Sequence, residues 1–515
     1  MAKAKEYFAL SNPIAVASGK EKEALTREDF MKIIHTQNIE RITFHYTGID
    51  GKIKELKIPI TSRKQAELIL SDGERVDGSS LFKGMVEVGK SDLYIVPKYK
   101  TAFLNPFDKG SLDFMCRFFD RDGNLASFAP DNILTNAHNQ LKKNHGLSLD
   151  ALGEIEFYLL GNLSNHTYVL PKQKGYHAAS PFAKTGEMMS QMIKLLSQIT
   201  GSVKYAHNEV GYMETVESDF PELKGKTAEQ VEIEFLLTDI EDAGDNVVLG
   251  SWIIRNVAYL HGNVATFFPK LEPGHAGNGF HIHMALTKNG KNVMCNKDGK
   301  LNESSKKLIG GLCRYAPSLT AFGNMVSASY LRLVPGQEAP TKVCWSDSNR
   351  SALIRVPLAW TNVNNLANKI NPQQKEKTIF DSSRQTVELR TPDGSANVHL
   401  LLAGITMATD WGLTNAKESL NLAELSNSSM AVDNCKTSGE IGELSTSCAE
   451  SAEKLLAVRT LYEKNGIFPP NVINQVANLL MAENDRYLNN RLLSLPEDER
   501  LIESRRIMHR DIHRC

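Results

Sequence analysis

The chain has 515 residues, with 59 lysines and arginines against 60 aspartates and glutamates. That balance provides no global field for nucleic acid or an anionic membrane, and the length predicts two domains, one small and one large. Its seven cysteines are odd in number, scattered and without a CxxC pair, which excludes a disulfide scaffold and suits a reducing cytoplasm.

Met1 to Leu10 is charged and lacks a signal-peptide apolar core, so no secretion is expected. Between Arg41 and Ile60, alternating Ile42, Phe44 and Tyr46 lead to the Asp50-Gly51 turn, and Ile53, Leu56 and Ile58 follow it, a pattern that predicts a β-hairpin. With a further strand near Asp92 to Pro97, residues 1–125 read as a small sheet-rich domain. A helix is predicted next, with Pro130 in its first turn, Ile133, Leu134, Ala137 and Leu141 on one side, and Gly146 as its stop. It opens a large α+β domain over 126–515, in which Gly153 to Leu160, Gly279 to Leu286 and Thr386 to Arg390 read as strands. The apolar run Leu400 to Ala408 falls well short of the ~20 residues a membrane helix requires, and reads as a buried helix segment. Leu413 to Ser451, rich in Ser, Asn, Ala and Glu, predicts an exposed excursion, and the chain from Ala452 onward is helical in pattern.

Three strands share one habit. Glu154-Ile155-Glu156, His281-Ile282-His283 and Glu388-Leu389-Arg390 each alternate polar and apolar, so the period of two puts each polar pair on one sheet face. Glu209 and Glu232 stand in similar contexts. If these acids and His281 line one cavity, neighbouring charges ~4 Å apart repel by ~4 kcal/mol at an effective dielectric of 20, which protonation or bound cations must relieve. Oxygen-rich ligation with few imidazoles and no thiolate favours magnesium or manganese over zinc, and two such ions suit phosphoryl transfer. Arg332, Arg350 and Arg355, set among Pro, Gly and apolar residues, together with Arg390 imply a multiply anionic substrate.

Over nearly its whole length, and in the order of its motifs, the chain resembles the type I glutamine synthetase family. The matching segments are Val76 to Ser80, Ser91-Asp92, Glu154 to Phe157, Ala265 to Lys270 and, above all, Arg332 to Pro340. The resemblance implies a β-grasp-like small domain, an open antiparallel barrel in the large one, and twelve subunits in two rings of six that share active sites across subunits. It implies a glutamate–ammonia ligase that uses ATP to make L-glutamine through γ-glutamyl phosphate. Glu156, Glu209 and Glu232 would hold one metal ion, and Glu154, His281 and Glu388 the other. Arg332 would grip the α-carboxylate of L-glutamate, with Gly277 allowing close backbone approach; Arg350 and Arg390 would meet the γ-carboxylate and the transferring phosphoryl group. His207, His283 and Arg355 would lie toward the nucleotide, Tyr176 at the glutamate entrance. Asp77 would help deprotonate ammonium, and Glu338 would shield the acyl-phosphate from water.

Several positions depart from the family pattern. Ala276 stands where asparagine is expected, Ala285 replaces a nucleotide-side serine, and Phe82 sits near a usual tryptophan. A stretch around Glu214 to Glu229 lengthens the path between the two metal-binding acids, leaving Glu234 as a rival to Glu232. No tyrosine occurs between Trp411 and Leu461, so control by adenylylation is not carried over. Three other readings stand beside ammonia ligation: a γ-glutamyl ligase for a larger amine, a catalytically silent relative, and a metal-dependent hydrolase using His281 and His283.

Overall fold

The computed structural model describes residues 6–86, 89, 91–163, 167–334, 339–359, 364–377, 383–428 and 443–515. The expected hairpin is formed by β1 (Arg41–Thr47) and β2 (Ile53–Pro59), in register from Arg41 opposite Pro59 to Thr47 opposite Ile53. At its turn Gly51 takes φ 69°, where a side chain is strained. The small sheet adds β3 (Glu74–Asp77), β4 (Asp92–Pro97), β5 (Phe103–Leu104) and β6 (Ser111–Phe119) in the order β2-β1-β6-β4-β3, with β5 beside β6 and β1 parallel to β6. The helix Arg27–Thr36, started by a Thr26/Asp29 capping box, packs on it through Phe30, whose ring lies edge-on to Phe114 at 5.0 Å. Phe82 is buried edge-on against Phe118 and Phe128, so phenylalanine fills the aromatic position after Asp77.

The large domain is built on a ten-stranded curled sheet of β7 (Ser148–Gly161), β8 (Val203–Met213), β9 (Thr227–Phe235), β10 (Thr238–Asp239), β11 (Val264–Thr266), β12 (Phe280–Lys288), β13 (Lys291–Asn292), β14 (Trp345–Asp347), β15 (Ile354–Val356) and β16 (Val387–Leu389). Its main path is β14-β15-β16-β12-β7-β9-β8, antiparallel except for β14 with β15. Helices cover one face. The helix Ile240–Leu260 lies on β7 at Gly153, where a Cβ would meet Phe280 at 2.6 Å and Val247 at 2.9 Å. Leu400 to Ala408 is buried within the helix Val398–Thr414, which crosses the helix Glu303–Gly323 so closely at Gly311 that a Cβ there would meet the Ala408 carbonyl at 2.1 Å.

The helix opening this domain spans Pro130–His145 and ends at Gly146 with φ 63°, matching its sequence signals. The excursion expected at Leu413 to Ser451 is reduced: Ala416–Leu425 is a helix with Ser419, Leu422 and Ala423 buried, and Cys448–Ala457 is another. Composition did not reveal this helix because polar Ser419 is fully buried, its Oγ donating to the Lys307 carbonyl at 2.6 Å. Residues 429–442 lie outside the described residues. Among the described residues no helix is long and apolar enough to cross a membrane.

Candidate active site

Strand register brings the polar pairs together. His281 on β12 is opposite Glu154 on β7, and His283 is opposite Glu388 on β16. On the other side of β7, Glu154 faces Glu234 and Glu156 faces Glu232 on β9, and His207 on β8 is opposite Glu232. Two groups of ligand-type side chains result: Glu154, His281 and Glu388, and His207, Glu209 and Glu232, each with atoms within 4.8 Å of one another.

In the first group Glu154 lies 3.0 Å from His281 Nδ1 and 3.0 Å from His283 Nε2. Burial opposes its ionisation, but the two imidazoles outweigh that and hold it well below the usual carboxylate range. Glu388, fully buried, accepts hydrogen bonds from Arg355 at 2.9 Å and Arg390 at 2.8 Å. In the second group His207 Nε2 is 3.2 Å from Glu232 and its Nδ1 3.7 Å from Glu209. Burial, together with repulsion from Glu154, Glu156 and Glu209, pushes Glu232 up to about 11. Such a group sheds its proton near neutral pH when a cation takes its place, so the donor set fits hard divalent ions. Of the rival acids on β9, Glu232 joins this group, whereas Glu234 is held by Lys204 Nζ at 2.6 Å.

A cavity of about 310 Å³ adjoins both groups, lined by Glu156, Glu209, Lys270, His281, Arg332 and Arg390 among others. Arg332 is buried in its wall, donating to the carbonyls of Thr391 at 2.8 Å and Arg390 at 3.3 Å. Gly277 makes this arrangement possible, because a Cβ there would meet the Pro269 carbonyl at 2.5 Å and Arg332 Cγ at 3.2 Å. Beside it Gly279 N donates to Glu156 at 2.6 Å. Ala276 is held by its backbone, its N donating to Gln173 at 2.8 Å and its carbonyl accepting from Tyr158 at 2.9 Å. Ala285 is fully buried on β12, so the position carries packing in place of a hydroxyl.

Other predicted residues are distributed less tightly. Arg350 is exposed on the turn between β14 and β15 and is not among the residues lining the cavity. Tyr176 is half-exposed, stacked on His177 at 4.3 Å and edge-on to His207 at 5.5 Å. Asp77 is exposed at the end of β3, and its carboxylate accepts hydrogen bonds from Ser79 and Ser80 in the short helix Gly78–Leu81 that follows. Glu338 lies outside the described residues.

Sequence reasoning missed Gln230 and Asn278. Gln230 Nε2 donates to the Gly277 carbonyl at 3.0 Å and to Asn278 Oδ1 at 3.1 Å, and Asn278 Nδ2 donates to the Phe268 carbonyl at 2.8 Å, together bracing the loop before β12. Gln230 stood two positions before Glu232, a same-face spacing that could have marked it. Lys270 was also missed; its ammonium donates to the His275 carbonyl. A third group, His138, Asp239 and Glu241, lies apart from this cavity, with both His138 nitrogens engaged by Glu241 at 3.1 Å and Ser148 at 2.9 Å.

The profile described as glutamine synthetase, catalytic domain, matches residues 127–491, and that of the glutamine synthetase β-grasp domain matches 38–121. The chain belongs to the glutamine synthetase family. It is 32% identical over 384 residues to the glutamine synthetase of Halobacterium salinarum, covering 73% of this chain and 75% of that protein. With that of Mycolicibacterium smegmatis it is 27% identical over 486 residues, covering 87% and 93%. Among solved structures, the Plasmodium falciparum glutamine synthetase superposes with a TM-score of 0.69 at 21% identity, over 90% of this chain and 97% of that one. A GmaS/ADP complex superposes with the same TM-score of 0.69 at 20% identity, over 91% and 98%. Both likenesses concern the fold: a small β-grasp domain followed by a large catalytic domain on a curled sheet, as expected for a ligase of this family.

Proposed function

We propose that the protein joins ammonia to the γ-carboxylate of L-glutamate, using ATP and passing through γ-glutamyl phosphate, to give L-glutamine, ADP and phosphate. The observation that carries this reading is the convergence of two carboxylate-rich groups on a cavity that also holds Lys270, Arg332 and Arg390. Glu154, His281 and Glu388 would hold one magnesium or manganese ion, and Glu209 and Glu232, with Glu156 or His207, the other; bound there, such ions supply charge neutralisation for phosphoryl transfer.

In the first step a γ-carboxylate oxygen attacks the terminal phosphorus of ATP, and ADP leaves. Arg390 and Arg355, fixed by Glu388, supply positive charge beside the transferring group, as electrostatic preorganisation requires. Arg332 serves the α-carboxylate, and the braced Ala276 to Gly279 loop sets how closely glutamate approaches. In the second step ammonia attacks the γ-carbon, the surplus proton of the adduct passes to Glu338 in this assignment, and phosphate departs with the former carboxylate oxygen. Ammonium must first lose a proton, and Asp77 is assigned that task from a neighbouring subunit, consistent with its exposure and its lack of a cationic partner among the described residues of its own chain. Activity then depends on assembly, proposed as a dodecamer of two six-membered rings in the cytoplasm. Glu338 is assigned to shielding the intermediate from water.

A larger amine is the second reading, favoured by Ala276, which offers a methyl group where the family pattern has an amide, and by the open aromatic group of Tyr176, His177 and His207. Purified protein incubated with ATP, glutamate and magnesium, with either ammonium or methylamine, separates them. Phosphate release that saturates with ammonium and runs at least tenfold faster than with methylamine supports glutamine synthesis. The reverse order supports the larger amine, and no amine-dependent release removes both.

A further inference from the structure

The match to the family's catalytic domain ends at residue 491, yet the helix Glu497–Arg510 and the residues after it reach back to the loop that lines the candidate active site. Arg505 grips the Glu272 carboxylate with two bonds, Nε to one oxygen at 2.9 Å and a terminal nitrogen to the other at 2.8 Å. One turn on, buried His509 lies 2.8 Å from the Leu271 carbonyl through Nε2 and 3.0 Å from Ser218 Oγ through Nδ1. A carbonyl only accepts, so Nε2 is the donor there. Beyond the helix, the carbonyl of buried Ile512 accepts from Thr266 Oγ1 at 2.7 Å. Ser218 belongs to the stretch that lengthens the path between Glu209 and Glu232, so this helix joins two places where the chain departs from the family pattern.

These contacts are unequal. Arg506 meets Asp219 at 3.0 Å and His513 meets Glu222 at 3.2 Å, but all four side chains are more than half exposed, and such pairs contribute little. The Arg505–Glu272 pair is bidentate with its carboxylate only 11% exposed, and His509 bonds to backbone, so the hold on the loop comes from these two. What they hold is the outer side of a turn whose inner side lines the cavity. His275 N donates to the Glu272 carbonyl at 3.2 Å, the Lys270 ammonium donates to the His275 carbonyl, and Asn278 N donates to the Pro269 carbonyl at 2.9 Å. Lys270, His275, Ala276 and Gly277 all stand in the cavity wall with Arg332. Fixing Leu271 and Glu272 therefore fixes the wall residues on either side of them.

We propose that the helix Glu497–Arg510 is a strap that holds the Lys270 to Gly277 wall in place, with Arg505 and His509 as positioning residues for glutamate; the part that names glutamate rests on the ligase reading above. Ala276 gives the strap its importance. A methyl group offers no hydrogen bond to a substrate, so this part of the loop can contribute only through its backbone, and misplaced backbone is costly to binding. His283 and Arg355, assigned to the nucleotide, stand on β12 and β15 rather than on this loop, so the strap acts on glutamate more than on ATP.

Two measurements on the full-length protein test the strap. Hydrogen exchange read by mass spectrometry needs no ligand: peptides covering 270–279 should exchange about threefold faster or more in Arg505→Leu than in the parent, and at the parent rate in Arg506→Leu, whose ion pair is exposed. In steady-state assays with ammonium, Arg505→Leu should raise the KM for glutamate about fivefold or more, while the KM for ATP stays within about twofold. Arg505→Lys, which keeps the charge but loses the two-bond fork, should fall between parent and Arg505→Leu, and it carries the test if Arg505→Leu does not fold. Unchanged exchange in the Arg505 variants overturns the proposal. So does an active Arg505 variant whose KM values for glutamate and ATP stay at parent levels or rise together. A parent protein without glutamate-dependent phosphate release refutes the ligase reading instead, and the exchange measurement then decides the strap by itself.

Discussion

Replacing Glu388 by alanine strands two guanidinium groups. Its carboxylate is 0% exposed and accepts from Arg355 at 2.9 Å and Arg390 at 2.8 Å, with His281 and His283 at 3.7 and 3.9 Å. Two unit charges at ~4 Å attract by ~4 kcal/mol at an effective dielectric of 20, and breaking a buried pair typically costs about 3–5 kcal/mol, because the partner stays buried without compensation. The Nε atoms of Arg355 and Arg390 already have no hydrogen-bond partner among the described residues, so neither side chain has a second anchor there to absorb the loss. Glu388→Ala should therefore lower the unfolding free energy by about 3–5 kcal/mol, and Glu388→Gln, which keeps an acceptor oxygen, by about half as much. Calorimetry at fixed protein concentration reads both. Adding Arg355→Leu to Glu388→Ala should recover about 1–2 kcal/mol, since one of the two stranded charges is then gone. A Glu388→Ala protein as stable as the parent, within about 0.5 kcal/mol, would refute the claim that this carboxylate neutralises the arginines.

Gly277→Ala should raise the KM for glutamate at least tenfold with a smaller change in kcat, because its Cβ can fit only by displacing the Pro269 carbonyl or Arg332; steady-state kinetics with unaltered KM would count against the loop's role. Manganese titration should find two ions per chain and release protons, since Glu232, raised to about 11, loses its proton to solvent when the ion takes its place; affinity should rise with pH by up to about tenfold per unit for each proton displaced. Electron paramagnetic resonance at two pH values checks this, and pH-independent binding would contradict it. Burial disfavours ionised Glu241, but hydrogen bonds from His138 and Thr135 outweigh it and lower the group from 4.5 to about 2. Its contribution, about 3 kcal/mol, is therefore complete above pH 4.5 and fades as pH falls toward about 2, so Glu241→Gln should destabilise the protein at neutral pH and progressively less across that window in acid denaturation curves.

The candidate site was legible where backbone period alone decides which way a side chain points. Glu154, Glu156, His281, His283 and Glu388 sit on strands, and alternation put the polar pair of each strand on one face before any register was known; strand pairing then brings the pairs together. The joining of β8 to β9 was not legible, because a register shift between Asn208 and Tyr212 interrupts the pairing; His207 thereby meets Glu232, a contact that no spacing rule predicts. Loop-borne residues were the hardest. Arg332 reaches the cavity from the end of a four-residue helix, whereas Arg350, with a similar sequence setting, remains exposed on a turn. Asn278 and Gln230 act by bracing backbone carbonyls, a role that depends on which loops meet in space. In the fold, turn and cap signals located the first hairpin and the helix Pro130–His145 directly, while the helix Ala416–Leu425 was masked by polar Ser419, which is buried.

The central claim is that the carboxylates and arginines of this cavity transfer a phosphoryl group to the side chain of glutamate before the amine arrives. Glutamate labelled with ¹⁸O in its γ-carboxylate, incubated with ATP, magnesium and ammonium, tests it through mass analysis of the released phosphate. One labelled oxygen in each phosphate is the predicted result; phosphate free of label would contradict it.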